Sequence, residues 1–180
     1  MSFFIIFLLC TISSIQAKPE YEVDVLDIEW NVTTPENFDM EWDITQPQRG
    51  IFAISGFADF KKDINTDKAK GLVNIYYSPN AVSYMLTPFR IPMTIFTDGM
   101  NFLYKVYMME EMKNCCEDAI DFEGTFVAPL TKRRMVCVKC LCNPKDNFPT
   151  YMRTGFYKFE GISYGEIAFA VTLTVKLEKV

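Results

Sequence analysis

The C-terminal part of the chain alternates between large apolar residues and small or polar ones. This alternation has the period of two that places successive side chains on opposite faces of a β-strand. The apolar members of the series are Ile167, Phe169, Val171, Leu173, Val175 and Leu177. The pattern therefore predicts a strand over 167–177 with one buried face.

A similar alternation follows residue 20, but its phase changes once. Large side chains occupy odd positions up to Val25 and even positions from Leu26 to Trp30. One extra residue in a strand restores a common face across such a change. The pattern therefore predicts a strand with a β-bulge at residues 25–26.

Short runs of β-branched and aromatic residues, separated by Gly, Pro, Asn or Asp, occupy much of the sequence between these two segments. They predict further strands at 51–60, 72–78, 121–127, 133–141 and 154–159, and a hairpin turn at 160–165 before the C-terminal strand. The strands do not alternate with helices, as they would in a parallel sheet. We therefore predict a mainly β protein, an antiparallel β-sandwich or β-cup.

One stretch has helical rather than strand spacing. Over residues 98–114, Asp98 can cap a helix whose apolar face carries Phe102, Leu103, Val106, Met109 and Met112. We expect this helix to pack over an open edge or end of the sandwich. A membrane-binding helix is less favoured, because few basic residues flank the segment.

Residues 1–17 are typical of a cleavable secretory signal peptide. Residues 3–9 are all apolar, and small residues precede Lys18. A retained amphipathic anchor is less favoured, because the segment has no polar face. We therefore expect a secreted, extracellular protein with a single domain over 18–180, in which the sequon at Asn31 is a candidate glycosylation site.

The chain has six cysteines, and Cys10 belongs to the predicted signal peptide. An oxidising compartment predicts at most two disulfides and one leftover thiol among the others, Cys115, Cys116, Cys137, Cys140 and Cys142. Adjacent cysteines cannot easily bond each other. We therefore expect Cys115 and Cys116 to bond to cysteines in 137–142, with the connectivity left open.

Two other interpretations of the cysteines, a zinc site and a redox motif, are less favoured. A zinc site would need two ligands adjacent in sequence, and exported proteins oxidise their thiols. A redox motif at Cys137 and Cys140 would open a helix, whereas this segment is predicted as strand. We expect no metal.

The sequence contains no histidine, which removes Ser-His-Asp and Cys-His catalysis and histidine metal sites. It also lacks a Gly-rich phosphate loop and a nucleophile elbow. We therefore expect no enzymatic activity and no cofactor. A net charge of −5 argues against nucleic acid as a partner.

Aromatic residues make up 15% of the chain, which also has ten methionines. Most of them are expected in the core, but soft apolar side chains also line pockets for apolar ligands. Residues 85–93 are the candidate pocket mouth, because they are too apolar for an ordinary loop and their two prolines exclude a regular central strand. The candidate pocket residues are Met85, Leu86, Phe89, Ile91 and Met93.

Three C-terminal segments, 122–130, 148–158 and the final strand, carry a family resemblance. They resemble the ganglioside-activator branch of the lipid-recognition proteins. In length, signal peptide and the sequence Gly-Phe-Tyr-Lys at 155–158, the chain is most similar to insect chemosensory proteins of the CheA/CheB type. It departs from them at Thr94 and Thr97, where relatives tend to carry a cysteine, so the family's disulfide pattern is not carried over.

The resemblance implies an immunoglobulin-like sandwich or β-cup whose sheets part to hold a lipid, without catalysis by the protein. The implied function is a secreted carrier of a lipid, hydrocarbon pheromone or glycolipid in chemosensory detection. A membrane receptor or channel is a further implied partner. The alternatives are an immunoglobulin-like interaction module without a ligand and, more distantly, an enzyme that uses carboxylates or a thiol.

Overall fold

The structure is a computed structural model that describes residues 21–48, 51–142 and 152–179. Cys10 and the predicted signal peptide at 1–17 lie outside these ranges. The structure is 58% strand and 13% helix, which confirms the prediction of a mainly β protein.

Two antiparallel sheets contain the strands of the described residues. In chain order these are β1 Tyr21–Val32, β2 Phe38–Gln48, β3 Ile51–Phe60, β4 Lys70–Ser78, β5 Met85–Ile95, β6 Cys116–Glu117, β7 Arg133–Cys142, β8 Gly155–Tyr164 and β9 Phe169–Lys179. One sheet has the order β1-β9-β8-β4-β5, and the other has the order β2-β3-β7-β6. The predicted antiparallel sandwich is therefore confirmed.

The core lies between the two sheets, and β9 shows how the sequence builds it. The side chains that alternate along this strand are each at most 4% exposed: Phe169, Val171, Leu173, Val175 and Leu177. Phe38, at the start of β2 in the other sheet, lies 5.1 Å from Phe169 and 5.0 Å from Phe60 between ring centroids. Phe38 therefore links the two sheets through aromatic contacts.

The predicted bulge in β1 is present. The pairing of β1 with β9 shifts between Val25 and Asp27, and the extra residue, Leu26, is 51% exposed. On either side of the shift, Val23 and Ile28 lie opposite buried residues of β9. The bulge thus keeps Val23, Val25 and Ile28 against the core, whereas Leu26 and Trp30, which were also predicted to face inward, are 51% and 37% exposed.

The predicted helix is present, but it starts earlier and is interrupted. Helix α1 covers 96–107 as Phe96–Gly99, a π-helical turn Met100–Tyr104 and Lys105–Tyr107, and helix α2 is Met109–Cys115. The prediction that Asp98 caps the helix is wrong. The N-cap is Ile95, which makes no side-chain hydrogen bond, and Asp98 lies in the first turn.

The predicted apolar face is only partly buried. Phe102 and Val106 are 68% and 61% exposed, so the prediction is wrong for these two residues. A π-turn holds more residues than an α-turn and therefore rotates later side chains away from α-helical spacing. The buried residues of the two helices include Met100, Leu103, Tyr104, Met108, Met109 and Met112.

Residues 121–127 do not form the predicted strand, because their backbone bonds to side chains of α1. The Phe126 N–H donates to Asn101 Oδ1 at 2.6 Å, and Asn101 Nδ2 donates to Phe126 O at 3.1 Å. Lys105 Nζ donates to Gly124 O. These bonds satisfy backbone groups that would otherwise need a neighbouring strand.

Two further differences concern strand bounds. Strand β8 continues to Tyr164, so the turn before β9 lies at 165–168 rather than at 160–165. Strand β2 was not predicted, although Phe38, Met40 and Trp42 alternate along it and are buried.

Candidate ligand pocket

Among the strands of the described residues, β5 forms one edge of the five-stranded sheet and pairs with β4 alone. Its residues Pro88 and Pro92 have no N–H to donate. An edge strand tolerates this loss, because no second neighbouring strand needs those donors. The position of β5 therefore agrees with the expectation that these prolines exclude a central strand.

The pairing between β5 and β4 is interrupted next to the first of these prolines. The β4 residues on either side of Ile75 pair with residues 86 and 90, so residues 87–89 bulge out opposite Ile75. Thr87 Oγ1 donates to Ile75 O at 2.8 Å and holds the bulge in place. Leu86 and Phe89 are each 51% exposed beside it.

A pocket of about 430 Å³ lies beside this bulge. Its lining comes from three separate parts of the chain: Tyr77, Met85, Leu86, Thr87, Pro88, Phe89, Met152, Arg153 and Tyr157. Tyr77 pairs with Met85 on one side and Tyr157 on the other, so these three side chains share one face of the sheet. Since Tyr157 belongs to the buried core, this is the inner face.

Two tyrosine hydroxyls hold the chain segment that borders the pocket. The Tyr77 hydroxyl donates to Thr154 O at 3.0 Å, and the Tyr157 hydroxyl donates to Arg153 O at 2.9 Å. The two rings lie 5.1 Å apart between centroids. Because both hydroxyls bond to backbone, the rings contribute mainly apolar surface to the pocket.

Gly155 allows this segment to pass close to Tyr77. Its φ is +138°, and an added Cβ would lie 2.8 Å from Cε2 of Tyr77 and 2.9 Å from Ser78 O. A residue with a side chain would therefore be strained in its backbone and would also clash. The glycine fixes where the 152–154 segment lies relative to β4.

The structure brings together three of the five predicted pocket residues. Met85, Leu86 and Phe89 line the pocket, whereas Ile91 and Met93 do not. Ile91 packs against the core, and Met93 is 50% exposed elsewhere on β5. The pairing of β4 with β5 shifts register twice between Met85 and Ile95, so the five residues do not share one surface. The sequence pattern does not reveal these shifts.

Sequence reasoning missed the part of the lining that comes from other strands. Tyr77 and Tyr157 reach the pocket through their pairing across β4 and β8, and Met152 and Arg153 through the hydrogen bonds of the 152–154 segment. The segment 148–158 carries the family resemblance, but no local pattern in it indicates a pocket. Only the register of the strands does so.

The cysteines join the helical region to the four-stranded sheet. Cys115, at the end of α2, bonds to Cys140 of β7, and Cys116, at the start of β6, bonds to Cys137 of β7. The expectation that the adjacent cysteines bond into 137–142 is confirmed. Cys142 pairs with β3 through its backbone, and its side chain lies outside the described part of the structure.

The two disulfides pack against each other. Cys116 Sγ lies 3.6 Å from Cys140 Sγ and 3.8 Å from Cys115 Sγ. Three of these sulfurs are close enough together to hold a metal ion. All of them are bonded in disulfides in this structure, however, and a metal needs the thiolate.

No protein-family model and no curated protein matches the chain. The resemblance to lipid-recognition proteins therefore stays a prediction. Among the helices of the described residues, none has the length and apolar composition to cross a bilayer.

Proposed function

We propose that this protein is a carrier of a small hydrophobic ligand, which it binds in the pocket beside β5. The observation that carries the proposal is the pocket of about 430 Å³ that has Met85, Leu86 and Phe89 in its lining. Pockets for small molecules typically measure roughly 300–1,000 Å³ and are lined mainly by apolar side chains with a few polar groups.

The partly exposed side chains around the pocket supply the driving force. Met85 is 64% exposed, and Leu86 and Phe89 are each 51% exposed. Covering such side chains with an alkyl chain stabilises the complex by about 25 cal/mol per Å² of apolar surface removed from water. Tyr77 and Tyr157 add aromatic surface on the inner side of the pocket.

We also propose that the protein is exported and acts outside the cell. Two disulfides support this proposal, because such bonds persist in oxidising compartments. Asn31 is exposed on β1, as a glycosylated side chain must be. A role in chemosensory detection, with a membrane receptor or channel as partner, rests on the family resemblance alone.

Expression in a secreting insect cell line tests the export proposal. We expect the medium to contain a chain that begins at Lys18 by N-terminal sequencing. We also expect its mass to fall on treatment with an N-glycosidase, and Asn31→Gln to abolish that change. A chain retained in the cells with residues 1–17 intact would contradict the proposal.

Binding of the uncharged fluorophore N-phenyl-1-naphthylamine tests the carrier function. Leu86→Asp places a charge in the pocket lining, and Met93→Asp makes the same change at an equally exposed residue of β5 outside the pocket. We expect the wild type and Met93→Asp to bind the fluorophore alike, and Leu86→Asp to bind at least tenfold more weakly.

Native mass spectrometry of the secreted protein, followed by lipid extraction, gives independent evidence. We expect a bound apolar molecule that Leu86→Asp fails to retain. A wild-type protein that is isolated empty and takes up no fluorophore would exclude the carrier function. That result would favour the interaction module without a ligand.

A further inference from the structure

Arg153 is the only charged residue among the described residues that line the pocket. Its backbone oxygen accepts the hydrogen bond from the Tyr157 hydroxyl at 2.9 Å, which fixes the position of the residue. Its side chain is exposed, and its guanidinium makes no hydrogen bond or ion pair with any described residue. A cation whose guanidinium bonds to none of the described residues therefore borders an apolar cavity.

The surroundings of Arg153 favour an anion. No carboxylate lines the pocket within the described residues. The nearby acid of β8, Glu160, accepts hydrogen bonds from Asn74 and Tyr76 at 3.1 and 2.9 Å. Tyr76 is next in sequence to the pocket residue Tyr77, so it points to the opposite face of the sheet and keeps Glu160 there too.

Charge and shape together define the class of ligand. A guanidinium presents a planar set of donors that matches a carboxylate with two parallel hydrogen bonds. The side chains of Met85, Leu86 and Phe89 offer a complementary surface for an alkyl chain. The volume of about 430 Å³ lies at the lower end of the usual range for ligand pockets, which favours one chain over two.

We infer that the pocket selects a single-chain amphiphile with an anionic head group, a carboxylate such as that of a fatty acid. The alkyl chain lies against Met85, Leu86 and Phe89, and the carboxylate pairs with Arg153 at the mouth. This inference rests on the proposed carrier function and narrows its ligand, because neither a neutral hydrocarbon nor an alcohol offers the guanidinium a negative charge to pair with.

Isothermal titration calorimetry with decanoate and decan-1-ol separates the head group from the chain. Arg153→Gln removes the charge, and Arg90→Gln removes an exposed arginine of β5 that does not line the pocket. We expect Arg153→Gln to bind decanoate about tenfold more weakly than the wild type, the loss typical of one hydrogen bond to a charged group. Arg90→Gln should bind it as the wild type does.

Decan-1-ol binding serves as the internal control for folding. We expect all three proteins to bind it with the same affinity, because the alkyl chain contacts are unchanged. Arg153→Lys should restore part of the affinity for decanoate, since it keeps the charge but loses the paired hydrogen bonds. Added salt should weaken the binding of decanoate and leave that of decan-1-ol unchanged.

Two results would overturn the inference, and they differ from failure of the carrier function. If the wild type binds decanoate and decan-1-ol with equal affinity, and Arg153→Gln changes neither affinity, the pocket recognises only the alkyl chain of the ligand. Binding of the alcohol without binding of the carboxylate would mean that it rejects anions. If neither compound binds and N-phenyl-1-naphthylamine also fails to bind, the carrier function itself is wrong.

Discussion

At the scale of single residues, Gly56 shows how closely the strands of the four-stranded sheet approach one another. It has φ of +150°, and an added Cβ would lie 2.0 Å from Glu41 O and 2.8 Å from Cε3 of Trp42. Gly124 also has a positive φ, of +66°, but an added Cβ would meet nothing within 4 Å. An alanine at Gly124 would therefore suffer backbone strain alone, whereas an alanine at Gly56 would suffer both backbone strain and a steric clash.

We predict that Gly56→Ala lowers the free energy of unfolding by about 3 kcal/mol, because strain and overpacking add. Gly124→Ala should lower it by about 1 kcal/mol, since only the left-handed backbone is strained. Urea unfolding with the disulfides intact measures both. Equal losses in the two variants would contradict the clash at Gly56.

Tyr104 is a second residue whose surroundings have a measurable effect. It is 2% exposed, and its hydroxyl donates to Ile120 O at 2.5 Å. Burial raises the pKa of Tyr104 well above its usual value, since the charged phenolate is poorly solvated there. The folded protein therefore keeps this proton at a pH at which the unfolded chain loses it.

The raised pKa of Tyr104 contributes stability that is fully present below about pH 10 and is lost as pH rises further, by up to about 1.4 kcal/mol per pH unit. We predict a shallower loss in Tyr104→Phe, which should also be about 1 kcal/mol less stable at neutral pH because Ile120 O loses its donor. Urea unfolding between pH 8 and 11 measures this, with Tyr164→Phe as a control at an exposed tyrosine. A slope unchanged by Tyr104→Phe would contradict the prediction.

At the scale of secondary structure elements, the disulfides hold α2 and β6 against β7. Strand β6 has only two residues, Cys116 and Glu117, and it pairs with β7 through these two residues alone. The bonds join cysteines 25 and 21 residues apart in sequence. A disulfide that closes a loop of this length lowers the conformational entropy of the unfolded chain and thereby stabilises the folded state.

We predict that replacing both cysteines of either disulfide by alanine lowers the free energy of unfolding by about 3 kcal/mol. Hydrogen exchange at 109–117 should accelerate more than exchange in β9, because the change is local to α2 and β6. Mass-spectrometric hydrogen exchange on the two double variants measures the difference. Uniform acceleration over the whole chain would show that these elements are not a separable unit.

The edge strand β5 carries exposed apolar side chains beside the candidate pocket. An exposed apolar edge risks association with other strands. Its two prolines and the bulge at 87–89 interrupt the regular edge, and the same bulge borders the pocket. The bulge that interrupts the edge of β5 also carries Phe89 and adjoins Leu86, and both side chains are 51% exposed beside the pocket.

At the scale of the whole molecule, the pocket lies next to the core rather than apart from it. Tyr157 belongs to both, so a ligand would contact the same strand that packs the inside of the sandwich. A ligand that binds only the folded protein stabilises the entire fold by mass action. Under the proposed carrier function, ligand binding would therefore be coupled to global unfolding.

We predict that decanoate at a free concentration of one hundred times its dissociation constant raises the free energy of unfolding by about 2.7 kcal/mol. Scanning calorimetry should show a rise in melting temperature of several degrees, roughly 2–4 °C per kcal/mol for a domain of this size. The rise should be absent in Leu86→Asp at the same concentration. A rise of equal size in both proteins would place the binding site elsewhere.

The sequence alone determined the features that depend on neighbouring residues. The alternation of β9, the phase change in β1 and the mainly β character follow from where successive side chains point along an extended chain. The disulfide partners followed in part, because adjacent cysteines cannot easily bond each other. Each of these inferences needs only the geometry of a short stretch of backbone.

The tertiary structure decided the features that depend on distant residues. It exposed Phe102 and Val106 through the π-turn of α1, and it replaced the strand expected at 121–127 by a loop bonded to Asn101 and Lys105. It also assembled the pocket, because the register of β4 with β5 and β8 brings Tyr77, Met85 and Tyr157 onto one face. Register is a long-range property: it depends on which strands become neighbours, and no local pattern of residues contains that information.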